Sequence, residues 1–224
     1  MSERRLPERL RRQVLADLRP VRPLPPPAVR AAEVALWAVA LFLIVPAVFP
    51  LRRDGALLGW LLMWGAAAAE CLTGILLVGL ALREAVPGAG LGRGRSLAAL
   101  IAGVTVQAMV GVLSWVKSPP SATGVTAHHS GAACFASQSM LALPALALAM
   151  WLVVRALPVR PRWAGALAGL GAGLMADGVW HLICPLSNLE HLLLWHGGAT
   201  ALLTLAGWLL GLLWERREAA RLAG

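Results

Sequence analysis

Six apolar stretches of roughly 20 residues follow one another along this chain, at 31–50, 57–82, 97–116, 133–157, 163–183 and 192–214. At a rise of about 1.5 Å per residue, each is long enough to cross a hydrocarbon core of about 30 Å. Short polar or proline- and glycine-bearing segments separate them. The pattern predicts an all-α fold, an integral membrane bundle of six transmembrane helices. No stretch between the spans is long enough for a separate soluble domain. The expected organisation is a basic, proline-rich tail at 1–30, a transmembrane domain at 31–214 and a short C-terminal tail at 215–224. The first apolar run starts late, is long, and lacks a small-residue cleavage site, so it is not expected to be a cleavable signal.

The tail has its own pattern. Leu6, Leu10, Val14 and Leu18 recur every four residues in an otherwise arginine-rich segment, 5–18. That spacing predicts an amphipathic helix. Two readings suit it: a segment lying on the membrane surface, or a helix that docks a soluble partner in a groove. Pro20, Pro23 and Pro25 to Pro27 then form a stiff, extended spacer before the first span.

Composition agrees: 58% of residues are hydrophobic, 14% are charged and the mean hydropathy is +0.71. The net charge of +9 could suggest nucleic acid, but its distribution points elsewhere. With the N-terminus inside, 17 of the 20 Lys and Arg residues fall on the inner side: eight in 1–30 and three each in 83–96, 155–162 and the C-terminal tail. Arg52, Arg53 and Lys117 make up the outer side. This positive-inside bias predicts cytoplasmic termini, and the tail would also be attracted to anionic lipid. No direct contact with nucleic acid is expected.

The chemistry gathers at the outer edges of two spans. Cys134 and Cys184 would face the same extracytoplasmic side, where a disulfide can persist. All five histidines lie within about 12 residues of one of them in sequence: His128, His129, His181, His191 and His196. Asp177, His181 and Cys184 are spaced i, i+4 and i+7, which places a carboxylate, an imidazole and a thiol on one helical face. A carboxylate bound to one ring nitrogen leaves the other free for a metal. Cys134, His191 or His196 would complete the set. Thiolates and imidazoles suit Zn, Cu or a similar soft transition metal. The plainer alternative is a group of interfacial polar residues that satisfy one another.

Elsewhere, Cys71 lies mid-span and reads as an inert buried thiol. Glu70 beside it is a functional candidate as an intramembrane carboxylate, or a neutral packing residue partnered with Gln107. Gly165, Gly169 and Gly173 recur every four residues, as in close helix packing. Pro46 and Pro144 fall inside spans as candidate kinks. The sequence contains no P-loop, zincin motif, nucleophile elbow, dinucleotide fingerprint or internal repeat.

Five segments carry a resemblance in order: LADLRPVRPLPPP (15–27), Cys134 with Pro144, LPVRPRWAGALAGLGAG (157–173), HLICP (181–185) and LLLWHG (192–197). Together they resemble the NrsF-type membrane anti-sigma factors, negative regulators of sigma F, over nearly the whole chain. The resemblance implies a bacterial inner-membrane protein of six helices, and not an enzyme. It implies an extracytoplasmic-function sigma factor held inactive at the cytoplasmic face and released on metal or oxidative stress. It assigns the sensing to two extracytoplasmic cysteines, which correspond to Cys134 and Cys184. His128 and His129 match no motif of that family; their part in the site is inferred from position alone.

Two other classes compete. A quinone-linked membrane thiol-redox protein would want two exchanging cysteine pairs, and three cysteines supply at most one. A metal transporter would want polar groups through the depth of the bilayer, whereas here they cluster at one face.

Overall fold

The computed structural model describes residues 7–17, 23–118 and 127–223. It is all-helical, with no strand among the described residues. Helix α1 is Glu8–Asp17. Helix α2 is Pro27–Val48, opened by a proline in its first turn, where no amide hydrogen is needed. Helix α3 is Gly55–Glu84, broken at Gly59 and wound as a π-helix over Leu61–Gly65. Helix α4 is Arg93–Lys117, α5 is Ala127–Val154 and α6 is Pro161–His181. Helix α7 starts at Leu189, passes through a π-helical stretch at Leu192–Gly197 and continues as Gly198–Ala223.

Five of these helices, α2, α3, α4, α5 and α7, are long and apolar enough to cross a membrane. Their outer faces carry large exposed side chains such as Leu36, Leu43, Leu76, Ile101 and Leu209. An outside this apolar is the reverse of a water-soluble surface. The sixth apolar stretch is α6, and it differs in kind. Its glycines, alanines and Asp177 make it less hydropathic, and every residue from Ala164 to Val179 is buried in protein. It is the hub of the bundle, with α7 on one side, α3 on another and α5 on a third.

Glycine makes that position possible. A β-carbon at Gly165 would meet the Gly207 carbonyl, and one at Gly169 the Leu203 carbonyl, both on α7. On the opposite side, Gly171 and Gly178 face the Gly74 and Ala67 carbonyls of α3. Small residues let backbones meet directly, which compensates for the lack of a hydrophobic driving force between helices in lipid. The glycine repeat thus serves contacts within one chain.

Polar clasps hold the ends. At the arginine-rich end, Glu84 is buried, pairs with Arg160 at 2.9 Å and accepts from the Leu91 amide at 2.5 Å. Arg30, also buried, donates to the Leu152 carbonyl of α5 at 3.0 Å and to the Pro25 carbonyl at 3.1 Å. The tail helix α1 starts directly after Pro7, and Leu10 and Leu15 on it are exposed. Leu6, Leu18 and the side chain of Val14 lie outside the described residues.

Gly169→Ala is expected to destabilise the detergent-solubilised protein by about 1–3 kcal/mol, because the added methyl meets a backbone rather than a movable side chain. Gly94→Ala, with open space around it, should be neutral or slightly stabilising. Thermal unfolding followed by circular dichroism compares the two; equal midpoints would contradict this packing account.

Candidate metal and thiol site

The site is built at the end of the bundle opposite the arginine clasps. Three elements bring it together. Cys134 lies near the start of α5, Cys184 in the segment after α6, and His191 and His196 at the start of α7. All four are buried, and their ligand atoms lie within 4.8 Å of one another. The two sulfurs are 3.5 Å apart as free thiols, and Cys184 Sγ is 3.4 Å from His191 Nε2. A tetrahedral metal with bonds of about 2.3 Å to sulfur and 2.0 Å to nitrogen needs ligand atoms about 3.3–3.8 Å apart. Both distances lie in that range. Cys134, Cys184, His191 and His196 are therefore a donor set that a soft metal would draw into tetrahedral coordination.

Backbone geometry decides that both histidines can take part. Residues five apart in an α-helix point about 140° from each other. His191 and His196 are five apart, yet their ring centroids are 5.2 Å from one another. The π-helical stretch between them is the reason: its i to i+5 pattern stacks the two positions.

A polar chain fixes His196. Its Nδ1 donates to Asp177 Oδ1 at 2.6 Å, which leaves the buried Nε2 with no partner. Asp177 Oδ2 accepts from Gln107 Nε2 at 2.5 Å, and Gln107 also donates to Thr200 Oγ1 at 2.9 Å. Gln138 donates to Thr200 Oγ1 and to the His196 carbonyl. A carboxylate behind one ring nitrogen, with the other bare and facing thiols, is the arrangement that orients a metal-binding imidazole. His191 Nδ1 is likewise buried without a partner.

The expected partner of Asp177 was His181, four residues on. That pair does not form. Asp177 turns to His196 on α7, and His181 Nε2 instead meets the Leu62 carbonyl in the π-helical part of α3 at 3.2 Å. His181 therefore stands outside the four-residue group. His128 and His129 lie in the first turn of α5, with their side chains outside the described residues. Cys71 sits apart, donating to the Met175 carbonyl at 3.4 Å. The Glu70–Gln107 pair, one of the two alternatives for Glu70, does not form among the described residues; Gln107 is bonded to Asp177 and Thr200. Glu70 instead lines a cavity of about 30 Å³ with Asp177 and His181, room for about one water.

Arg52 and Asp54 had no signal in the sequence beyond their charge. They form a buried two-pronged pair, Nε–Oδ1 at 2.7 Å and Nη2–Oδ2 at 2.8 Å. Arg52 also donates to Ser187 Oγ at 2.6 Å and to the His181 carbonyl at 3.2 Å, and its amide donates to the Leu182 carbonyl at 2.9 Å. Ser118 Oγ donates to Asp54. One ion pair thus ties the α2–α3 loop and the end of α4 to the segment that carries Cys184. Burial alone would raise the Asp54 carboxyl, but hydrogen bonds from Arg52 and Ser118, with the Arg52 charge, outweigh it and hold it below its usual range.

A sequence family described as NrsF, negative regulator of sigma F, matches residues 15–216. No curated protein and no solved structure matches the chain.

Asp54→Asn, which leaves Arg52 buried without its counter-charge, is expected to cost about 3–5 kcal/mol of stability. The wild-type contribution of a depressed carboxyl is present above the unfolded value of about 4 and is lost as pH falls through the folded value. Acid unfolding of the wild type should show that loss and Asp54→Asn should not; parallel acid curves would refute it. For the metal set, the purified reduced protein should bind one Cd(II) or Zn(II). Asp177→Asn should weaken it about 10–100-fold, Cys134→Ala more, and His181→Ala little, as read by competition with a chelator.

Proposed function

The chain belongs to the NrsF family of negative regulators of sigma F, and on that premise we propose that it is a six-span membrane anti-sigma factor gated from outside. It is a regulator, not an enzyme. Both termini are cytoplasmic, and the bundle sits in the bacterial inner membrane. It holds an extracytoplasmic-function sigma factor at the cytoplasmic face and releases it when the thiol site binds a soft metal or is oxidised. The family match carries the reading. The charge asymmetry supports the orientation, and α6 completes an even number of crossings as a protein-buried span.

The site supports both kinds of trigger. A soft metal held by Cys134, Cys184, His191 and His196 would release the thiol protons and would tie α5, the Cys184 segment and α7 together. A two-electron thiol oxidant, taking up the two electrons and two protons of the thiols, would close the 3.5 Å between the sulfurs to a bond of about 2.0 Å. Either event pulls on the start of α5. The far end of the same helix is held by Arg30 through the Leu152 carbonyl, and Arg30 also grips Pro25 in the spacer that leads to the tail. Pro144 lies between the two ends. A shift of α5 thus has a mechanical route to the tail, which docks the sigma factor through Leu6, Leu10, Val14 and Leu18. With Cys71 held apart on Met175, one cysteine pair is all the chain offers. That weighs against a quinone-linked thiol relay.

The full-length tagged protein should co-purify with a sigma factor and release it on addition of Cd(II), Zn(II) or a thiol oxidant. Failure to capture any sigma factor would overturn the assignment. Leu10→Asp should switch the regulon on without stimulus, since docked helices concentrate their affinity in a few apolar anchors. Arg11→Ala, whose partner is an exposed Glu8 at 3.7 Å, should do little. Cys134→Ala or Cys184→Ala should abolish or lock the response, and Cys71→Ala should leave it intact. If changes in 83–96 or 155–162 relieve repression while Leu10→Asp does not, the tail is only a surface anchor.

A further inference from the structure

Helix α4 is the least embedded of the long helices, and it stands away from α7. The gap is an apolar cavity of about 630 Å³ bounded by α4, α6 and α7. On α4 it runs from Leu100 to Val112, about 18 Å at the helical rise. One leaflet of a bilayer is about 15 Å of hydrocarbon, half the core. At the arginine-rich end the groove adjoins a second cavity of about 310 Å³, lined by Arg93, Arg162, Trp163 and Trp208. Trp163 and Trp208 line both, so the two are adjacent.

The combination is specific. Two arginines stand where a headgroup would lie, two tryptophans mark the interface depth, and a leaflet-deep apolar slot follows. Arg162 is partly balanced by Glu215 at 3.4 Å, whereas Arg93 has no ion pair among the described residues. The local excess is therefore one positive charge. We infer that this groove is a binding site for one anionic glycerophospholipid, with its phosphodiester between Arg93 and Arg162 and an acyl chain along Leu100 and Val104 of α4 and Leu205 of α7. A single negative headgroup matches the single excess charge. The arginine-rich end faces the cytoplasmic leaflet in the proposed orientation, where anionic lipid attracts basic side chains.

The test uses the full-length protein, delipidated in detergent and exposed to equal phosphatidylglycerol and phosphatidylcholine of identical acyl chains. Native mass spectrometry counts the retained lipid. The wild type should retain one phosphatidylglycerol per chain, preferred by roughly tenfold or more. The double variant Arg93→Gln, Arg162→Gln should bring the preference close to one while still holding lipid. Ala201→Trp, which fills the groove from an exposed position and leaves the packed core alone, should lower retention of both lipids. Equal retention by the wild type, or a preference that survives both changes, would overturn the site. So would a dimer that Ala201→Trp dissociates, or an isoprenoid quinone retained in place of phospholipid.

Discussion

The packing of α6 is the constraint on which the other features depend. A helix buried on all sides in a small bundle must let neighbouring backbones come to it, since there is no room for a second layer of side chains. Glycines on two faces meet that demand, Gly165 and Gly169 toward α7 and Gly171 and Gly178 toward α3. The result is a close-packed α3–α6–α7 core, with α2 and α5 packed on it and α4 more loosely applied. Asp177 owes its place to that core. A carboxylate on a lipid-facing helix would be costly, but on α6 it sits in protein, with Gln107 and His196 as partners.

From Asp177 the site follows outward. The carboxylate orients His196, and the π-helical turn of α7 brings His191 to the same side. The Arg52–Asp54 pair holds the Cys184 segment against the core. Each device is local and polar, and each works because it is buried. A π-turn is rare relative to an α-helix and recurs at functional sites. Here it solves a spacing problem that an α-helix cannot.

The opposite end is built differently. Arg30, Glu84 and Arg160 tie loops and helix ends with charged hydrogen bonds, and Arg30 holds the Pro25 carbonyl just before α2. Helix α5 joins the two ends, Cys134 near one and the Leu152 carbonyl near the other. A lipid wedged beside α4 would bear on the same assembly, because Gln107, which holds Asp177, also lines that groove.

Sequence alone determined what depends on composition and short-range periodicity. Five apolar helices, the isolation of Cys71 and the family membership are legible there, since length, hydropathy and motif order are properties of the chain itself. So is the crowding of histidines and cysteines at one end, because strict alternation of direction brings alternate loops together. The ligand set was not legible. Helical periodicity paired Asp177 with His181 on their own helix, yet tertiary contact with α7 gave the carboxylate to His196. An α-helical reading also sets His191 and His196 apart, and only the π-turn, packed against α5 and bonded to Asp177 of α6, unites them. Arg52 and Asp54 carry no periodic signal at all, because the partners they hold besides each other are 64 to 135 residues away. Contacts of that range are decided by which loops the packed helices leave adjacent, and that is information only the tertiary structure holds.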